Sequence, residues 1–223
     1  MPTPQLFIGL YTEGTTDIRF FKSVVKRTFD EISFECFNQI EILDIQVIDK
    51  MMGLAFNDSV IEAARKGVND FGITILCVHV DADNNSDEAV FRDKINPVLC
   101  EVESSAEDIC KIIVPVVPVQ MTESWMLADK ELLKKEIGTK KSDKELDIYK
   151  KPESYSDPKA IIENAIRIAL QERTKRHRKE LTIADLYLSM GQSIPIDKLK
   201  LIPSYIRFQE NVRKAFRKLN YLQ

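Results

Sequence analysis

Two carboxylates stand at the end of an apolar run near the middle of the chain. Asp81 and Asp83 follow the run ITILCVHV, residues 73–80, which is typical of a buried strand. Side chains alternate sides along a strand, so both carboxylates point the same way if the extended backbone continues through Ala82. Two like charges so close repel unless a cation lies between them or water screens them. The pair is therefore either a metal ligand or part of a solvated loop.

Two further acidic residues follow other apolar runs. Glu13 follows QLFIGLYT and precedes Gly14, and Glu123 lies just beyond KIIVPVVPVQ. Mg²⁺ prefers oxygen ligands and keeps several waters, so two or three carboxylates can anchor it. Glu13 can complete a metal site with the aspartates or exchange a proton. Glu123 is either a second-metal ligand or general base, or a helix-capping residue.

The elements that must position these residues alternate regularly. Four apolar strand patterns are each followed by residues with helical spacing, up to about residue 137. Helices are expected after Thr15, after Asn57 and after Thr122, and from Ser86 to about Glu103. This order predicts an α/β fold, a Rossmann-like parallel sheet with helices on both faces. Such sheets bind ligands at the carboxyl ends of their strands, where the acidic residues fall.

Three regions are predicted along the chain. Residues 1–137 form the α/β domain. Residues 138–158 are polar, rich in lysine and without an apolar period, which indicates a linker or flexible insertion. Residues 159–223 form a basic helical C-terminal region with strong helical spacing.

Charge is distributed unevenly around a net value of −3. Between Lys159 and Lys218 there are 14 Lys and Arg against six Asp and Glu. A basic region beside an acidic body favours polyanion binding, although solvated helix faces would explain the same charges. The predicted nucleic-acid-binding residues are Lys159, Arg173, Lys175, Arg176, Arg178 and Lys179.

Composition argues against several classes of protein. The four cysteines form no CxxC pair and the chain has two histidines, so a zinc site or a histidine-based triad is not expected. No apolar run approaches the roughly 20 residues that span a bilayer. The N-terminal residues lack the pattern of a signal peptide, so a cytoplasmic location without a membrane partner is expected. No Walker A loop is present, so any ATPase activity would require a partner.

Glu13-Gly14 after the first strand, Asp17 at the start of the first helix and Asp81-x-Asp83 after the third strand resemble the Toprim domain. The resemblance covers roughly residues 5–135. The segments MTESWMLADKELL and PSYIRFQENV are similar to parts of small standalone bacterial Toprim-like proteins, some of unknown function and others linked to phage defence or abortive infection.

The resemblance implies Mg²⁺- or Mn²⁺-dependent hydrolysis of phosphodiester bonds in DNA or RNA. Glu13, Asp81 and Asp83 would be catalytic, and with Glu123 they would form the metal site. Toprim-type nucleases often use a lysine to hold the transition-state phosphate, and Lys159 is a candidate. A separate ATPase or defence-system protein is a possible partner. Two alternatives remain open: a non-catalytic nucleic-acid-binding or regulatory protein, and a primase-like nucleotidyl transferase.

Overall fold

The computed structural model describes residues 3–51, 53–83, 86–171 and 181–223. The strands in these ranges are β1 (Gln5–Leu6), β2 (Ile8–Tyr11), β3 (Glu41–Ile42), β4 (Gln46–Val47), β5 (Ile75–His79) and β6 (Ile113–Val116). The helices are α1 (Asp17–Ser33), α2 (Phe56–Phe71), α3 (Asp87–Val90), α4 (Asn96–Ser104), α5 (Thr122–Met126), α6 (Lys130–Ile137), α7 (Pro158–Gln171), α8 (Ile183–Ser193), α9 (Ile196–Leu199) and α10 (Pro203–Lys218). A π-helical turn (Phe91–Ile95) joins α3 to α4, and a 3₁₀ turn (Pro152–Ser154) precedes α7.

The central sheet is parallel and has the strand order β4-β2-β5-β6. Leu10 is the register partner of Cys77, which in turn is the partner of Val114. The prediction of an α/β fold with a parallel sheet is confirmed. Because the chain moves to one side of β2 to form β4 and to the other side to form β5, the order reverses between β2 and β5. In open α/β sheets, the carboxyl edge at such a reversal is the usual ligand-binding crevice.

The first two predicted strands are each divided in two. Gln5 pairs with Glu41 in the separate β1-β3 ladder, whereas Gly9 pairs with Gln46 in the central sheet. The register therefore changes by one residue between the two ladders. The second predicted strand, which forms β3 and β4, carries one residue more than the first, which forms β1 and β2. A one-residue bulge of this kind interrupts pairing and increases local twist.

Helices cover both faces of the sheet, as predicted. Ile75 and Cys77 of β5 belong to the larger hydrophobic cluster, which contains the apolar side of α1. Leu76 and Val78 point to the opposite face and pack with apolar residues of α2 and α4. The alternation of side chains along β5 thus buries both of its faces.

The C-terminal helices share the core of the α/β part. Trp125 of α5 is fully buried, lies 5.4 Å from the Phe21 ring and 5.2 Å from the Tyr205 ring, and donates from Nε1 to Ser204 Oγ at 2.7 Å. Helix α8 packs closely on α1, because a Cβ on Gly191 would lie only 2.5 Å from the Phe20 carbonyl oxygen. The predicted domain boundaries remain a prediction. Within the predicted linker, three side chains are buried in the same core, those of Leu146, Ile148 and Tyr155.

Local residues account for the end or interruption of three helices. Gly67 lies inside α2, and Gly72 ends that helix with a left-handed φ of 62°. Pro97 has no N–H to donate to the preceding turn, and the backbone there widens into the π-helical turn. The helix expected after Thr122 is divided, because Asp129 accepts a hydrogen bond from the Leu132 N–H and caps a new helix, α6.

None of the helices in the described ranges has both the length and the apolarity needed to cross a bilayer.

Candidate functional site

Thr122, the first residue of α5, links two acidic residues that are distant in sequence. Its backbone N–H donates to Asp81 Oδ1 at 3.0 Å, and its hydroxyl donates to Asp17 Oδ1 at 2.8 Å. Asp17 begins α1, which follows β2, and Asp81 lies two residues beyond the end of β5. The hydrogen bonds therefore bring together carboxylates from the two strands that flank the sheet's reversal point.

Glu123 is a third acidic residue at this position, and only 3% of its surface is exposed. The Tyr187 hydroxyl of α8 donates a hydrogen bond to Glu123 Oε1. Burial raises the pKa of Glu123, and the negative charges of Asp81 and Asp17 raise it further, while the Tyr187 hydrogen bond opposes them. Asp17, Asp81 and Glu123 are called the acidic cluster below.

Asp17 is also partly desolvated. Burial raises the pKa of this carboxyl, and the charge of Asp81 adds to the effect, whereas the charges of His79 and Lys159 lower it. Lys159, predicted to contact phosphate, is thus electrostatically coupled to the acidic cluster from the first turn of α7. The Asp17 carboxylate occupies the space beside Gly14 that a side chain would fill, because a Cβ on residue 14 would lie 2.5 Å from Asp17 Oδ2.

His79 lies beneath the acidic cluster and is completely buried. Its Nε2 is 3.1 Å from Asp81 Oδ1, and its ring centroid is 4.4 Å from that of Phe21. Burial by itself lowers the pKa of this imidazole, but the hydrogen bond and charge of Asp81, with the charges of Asp17 and Glu13, raise it overall. A protonated His79 would neutralise part of the cluster's negative charge.

Asp83 does not continue the extended strand. Ala82 still pairs with the segment that follows β6, because its N–H donates to the Pro118 carbonyl at 3.1 Å. Asp83 has a left-handed φ of 50°, and its N–H donates to the Gln120 carbonyl at 2.7 Å. The extended backbone therefore ends before Asp83, so the two aspartates are not held on one side of a strand as expected. Asp83 is exposed in a turn.

The remaining predicted site residues occupy different positions. Glu13 is exposed just after β2, and its carbonyl accepts a hydrogen bond from Lys50 Nζ at 3.4 Å. Its negative charge contributes to the raised pKa of His79, so it lies within electrostatic reach of the acidic cluster. Five predicted basic residues lie outside the described residues: Arg173, Lys175, Arg176, Arg178 and Lys179.

The donor chemistry of the acidic cluster fits a hard divalent cation. Within the described ranges, no three His, Cys, Asp or Glu side chains are already arranged around a possible metal position. Mg²⁺, however, is commonly held by one or two carboxylates together with water. Asp17 and Asp81 each use Oδ1 for the hydrogen bond with Thr122, and their like charges favour an added cation.

Sequence reasoning missed two members of this network. His79 was assigned to an apolar run, although its position two residues before Asp81 places both on the same side of an extended chain. Tyr187 has no local signal, because it lies on the apolar side of α8 and reaches Glu123 only through tertiary packing. Thr122 is not the N-cap of α5, since Met121 holds that position and Thr122 bonds to Asp81 and Asp17 of other elements.

Comparisons with known proteins do not extend this description. A scan against protein-family models and searches of curated proteins and of solved structures found no significant match. The Toprim resemblance therefore remains a prediction that rests on the residues quoted above.

Proposed function

We propose that this chain is a Toprim-type nuclease that hydrolyses phosphodiester bonds in nucleic acid with Mg²⁺ or Mn²⁺. The observation that carries the proposal is the convergence of Asp17, Asp81 and Glu123 around Thr122. These residues come from three separate elements and meet at the carboxyl edge of the sheet. Open α/β sheets commonly bind their ligands at this edge.

The electrostatics of the acidic cluster support a cation as its ligand. Desolvation and mutual repulsion raise the pKa of both Asp17 and Glu123, so the metal-free cluster holds negative charge at a cost. A divalent cation bound there would neutralise that charge, polarise a phosphate and lower the pKa of a bound water. Asp17 joins the metal-binding residues proposed from the sequence, which are Glu13, Asp81, Asp83 and Glu123.

The other residues have separate proposed roles. Glu13 is exposed just after β2, and it would take a proton from an attacking water. Lys159 is exposed and electrostatically coupled to Asp17, so its ammonium would contact the substrate phosphate. The basic residues between Arg173 and Lys179 would contact phosphates farther along DNA or RNA. Action in phage defence, with a separate ATPase as partner, is part of the same proposal.

Calorimetric titration with Mg²⁺ and Mn²⁺ tests the metal site. The wild type should bind, and the variant Asp81→Ala/Asp83→Ala should lose binding. The matched control is Glu101→Ala/Glu103→Ala, an acidic pair with the same spacing on α4, and it should bind as the wild type does. Equal binding by all three proteins would exclude the proposed site.

A cleavage assay then tests the chemistry. Labelled single-stranded and duplex DNA and RNA are incubated with each protein, with and without Mg²⁺ or Mn²⁺. Metal-dependent cleavage by the wild type and the control variant, but not by Asp81→Ala/Asp83→Ala, is expected. Metal binding without cleavage would favour a non-catalytic binding or regulatory protein. Incorporation of labelled nucleotides would favour a primase-like transferase.

A further inference from the structure

A groove of about 740 Å³ lies between the end of α5, the segment before α7 and the turn between α9 and α10. Four lysines and two exposed apolar residues on its wall define what we call the lysine groove: Lys130, Tyr149, Lys150, Lys151, Lys198 and Leu201. It is distinct from the acidic cluster, and no residue of it belongs to the sites predicted from sequence.

The lysines of the groove are free to meet an anion. Within the residues that the structure describes, none of the four forms an ion pair, and Lys150 only lies 5.7 Å above the Tyr155 ring. The same wall carries four carboxylates, and each of them already has a partner in the protein. Lys134 pairs with Glu131 and Asp143, Asp129 caps α6, and Glu153 accepts from the Ser204 N–H.

An exposed aromatic side chain accompanies these charges. Tyr149 is 56% exposed and Leu201 is 76% exposed, so both present apolar surface to the groove. Proteins that bind single strands combine a basic groove with aromatic rings on which bases stack. A phosphate-bearing chain with flat bases therefore matches both kinds of surface in the groove.

The groove is close to the acidic cluster. Helix α5 carries Thr122 and Glu123 at its start, and Leu127, its C-cap residue four positions beyond Glu123, lies on the groove wall. At about 1.5 Å per residue, this separation is about 6 Å along the helix. Two nucleotides, at the duplex rise of about 3.4 Å each, cover that distance.

We propose that the lysine groove binds a single strand of nucleic acid beside the acidic cluster, with Tyr149 stacking on a base and Lys150 and Lys151 contacting phosphates. This inference rests on the proposed function, because the chemistry at the acidic cluster identifies the polyanion as nucleic acid. It extends that function by assigning a substrate form and a surface that positions it.

Fluorescence anisotropy tests the proposal directly. Labelled oligothymidylate and oligouridylate of about 12 nucleotides are titrated in EDTA, which prevents metal-dependent cleavage. Lys150→Glu/Lys151→Glu should raise Kd at least about 10-fold, and the slope of log K against log salt should become shallower by about 1.4. Lys140→Glu/Lys144→Glu, exposed lysines of the same segment outside the groove, carry the same charge change and should alter Kd less than about 2-fold.

Two tyrosine variants separate stacking from charge. Tyr149→Ala should raise Kd by about 5-fold or more, whereas Tyr149→Phe keeps the ring and should bind as the wild type does. Equal losses in both lysine variants, no loss in either, or no binding by the wild type would each overturn the groove assignment.

A small substrate distinguishes this inference from the proposed function. Bis(p-nitrophenyl) phosphate is too small to fill the groove, so its hydrolysis by the wild type reports on the acidic cluster alone. If the wild type hydrolyses this compound but Lys150→Glu/Lys151→Glu binds oligonucleotides as the wild type does, the groove assignment alone is refuted. Groove-dependent binding without any hydrolysis would refute the nuclease proposal alone.

Discussion

Tyr187 donates a buried hydrogen bond to Glu123, and this contact joins the C-terminal helices to the acidic cluster. The two residues are 64 positions apart in the chain. The bond leaves the pKa of Glu123 raised, because burial and neighbouring charges outweigh it. Helix α8 therefore contributes to the candidate site even though it adds no proposed metal ligand.

Removing the Tyr187 hydroxyl should impair that site. Tyr187→Phe leaves Glu123 buried without its donor, which is expected to lower the free energy of unfolding by about 1–3 kcal/mol. Loss of a group that orients a metal ligand typically lowers metal affinity or activity by about 10- to 100-fold. Calorimetry and the cleavage assay measure the effect, with Tyr221→Phe as the control. An unchanged metal affinity would show that Tyr187 has only a packing role.

Gly14 should matter for activity more than for stability. In Gly14→Ala the new Cβ collides with the movable Asp17 carboxylate, so the carboxylate shifts while the backbone remains in place. A displacement of about 1 Å at a reactive site can lower the rate by about 100-fold. Cleavage rate and thermal melting are measured for Gly14→Ala, Asp17→Ala and the double variant. If Gly14→Ala acts through Asp17, the double variant loses no more activity than Asp17→Ala alone.

The stability of the metal-free protein should respond to Glu123 in a pH-dependent manner. The pKa of Glu123 is raised in the folded state above its ordinary value of 4.5, so the folded protein favours the protonated form. Ionisation therefore destabilises the fold as pH rises from the ordinary value through the folded-state pKa. Glu123→Gln should melt at a higher temperature than the wild type near pH 7 in EDTA, with no difference well below pH 4.5. A lower melting temperature for this variant at pH 7 would contradict the raised pKa.

The contact between α1 and α8 should not tolerate a methyl group. In Gly191→Ala the Cβ would lie 2.5 Å from the Phe20 carbonyl oxygen and 2.7 Å from its Cα, and backbone atoms cannot rotate away. Overpacking of this kind costs about 1–3 kcal/mol of unfolding free energy. Urea denaturation compares this variant with Ser193→Ala, an exposed change on the same helix that should cost less than about 0.5 kcal/mol. Equal stability of the two variants would mean that the helices can separate at no cost.

Local patterns were sufficient to predict the sheet and one edge of the site. Alternating strand and helix spacing predicted the parallel order, and the ends of β2 and β5 placed Glu13 and Asp81 at the carboxyl edge. The turn at Asp83 could not be predicted, because its left-handed φ accompanies a hydrogen bond to Gln120 from another part of the chain. Likewise, the Tyr187–Glu123 contact depends on how α8 packs, which local periodicity does not specify.

The edges of the central sheet also limit unwanted self-association. β4 is an edge strand of two residues, and the one-residue bulge beside it interrupts the ladder that a further strand would have to extend. At the other edge, Pro115 has no N–H to offer, and its carbonyl accepts a hydrogen bond from Asn211 Nδ2 at 3.2 Å. A second chain would therefore find few unpaired backbone groups on β4 or β6, which protects the folded protein against edge-to-edge aggregation.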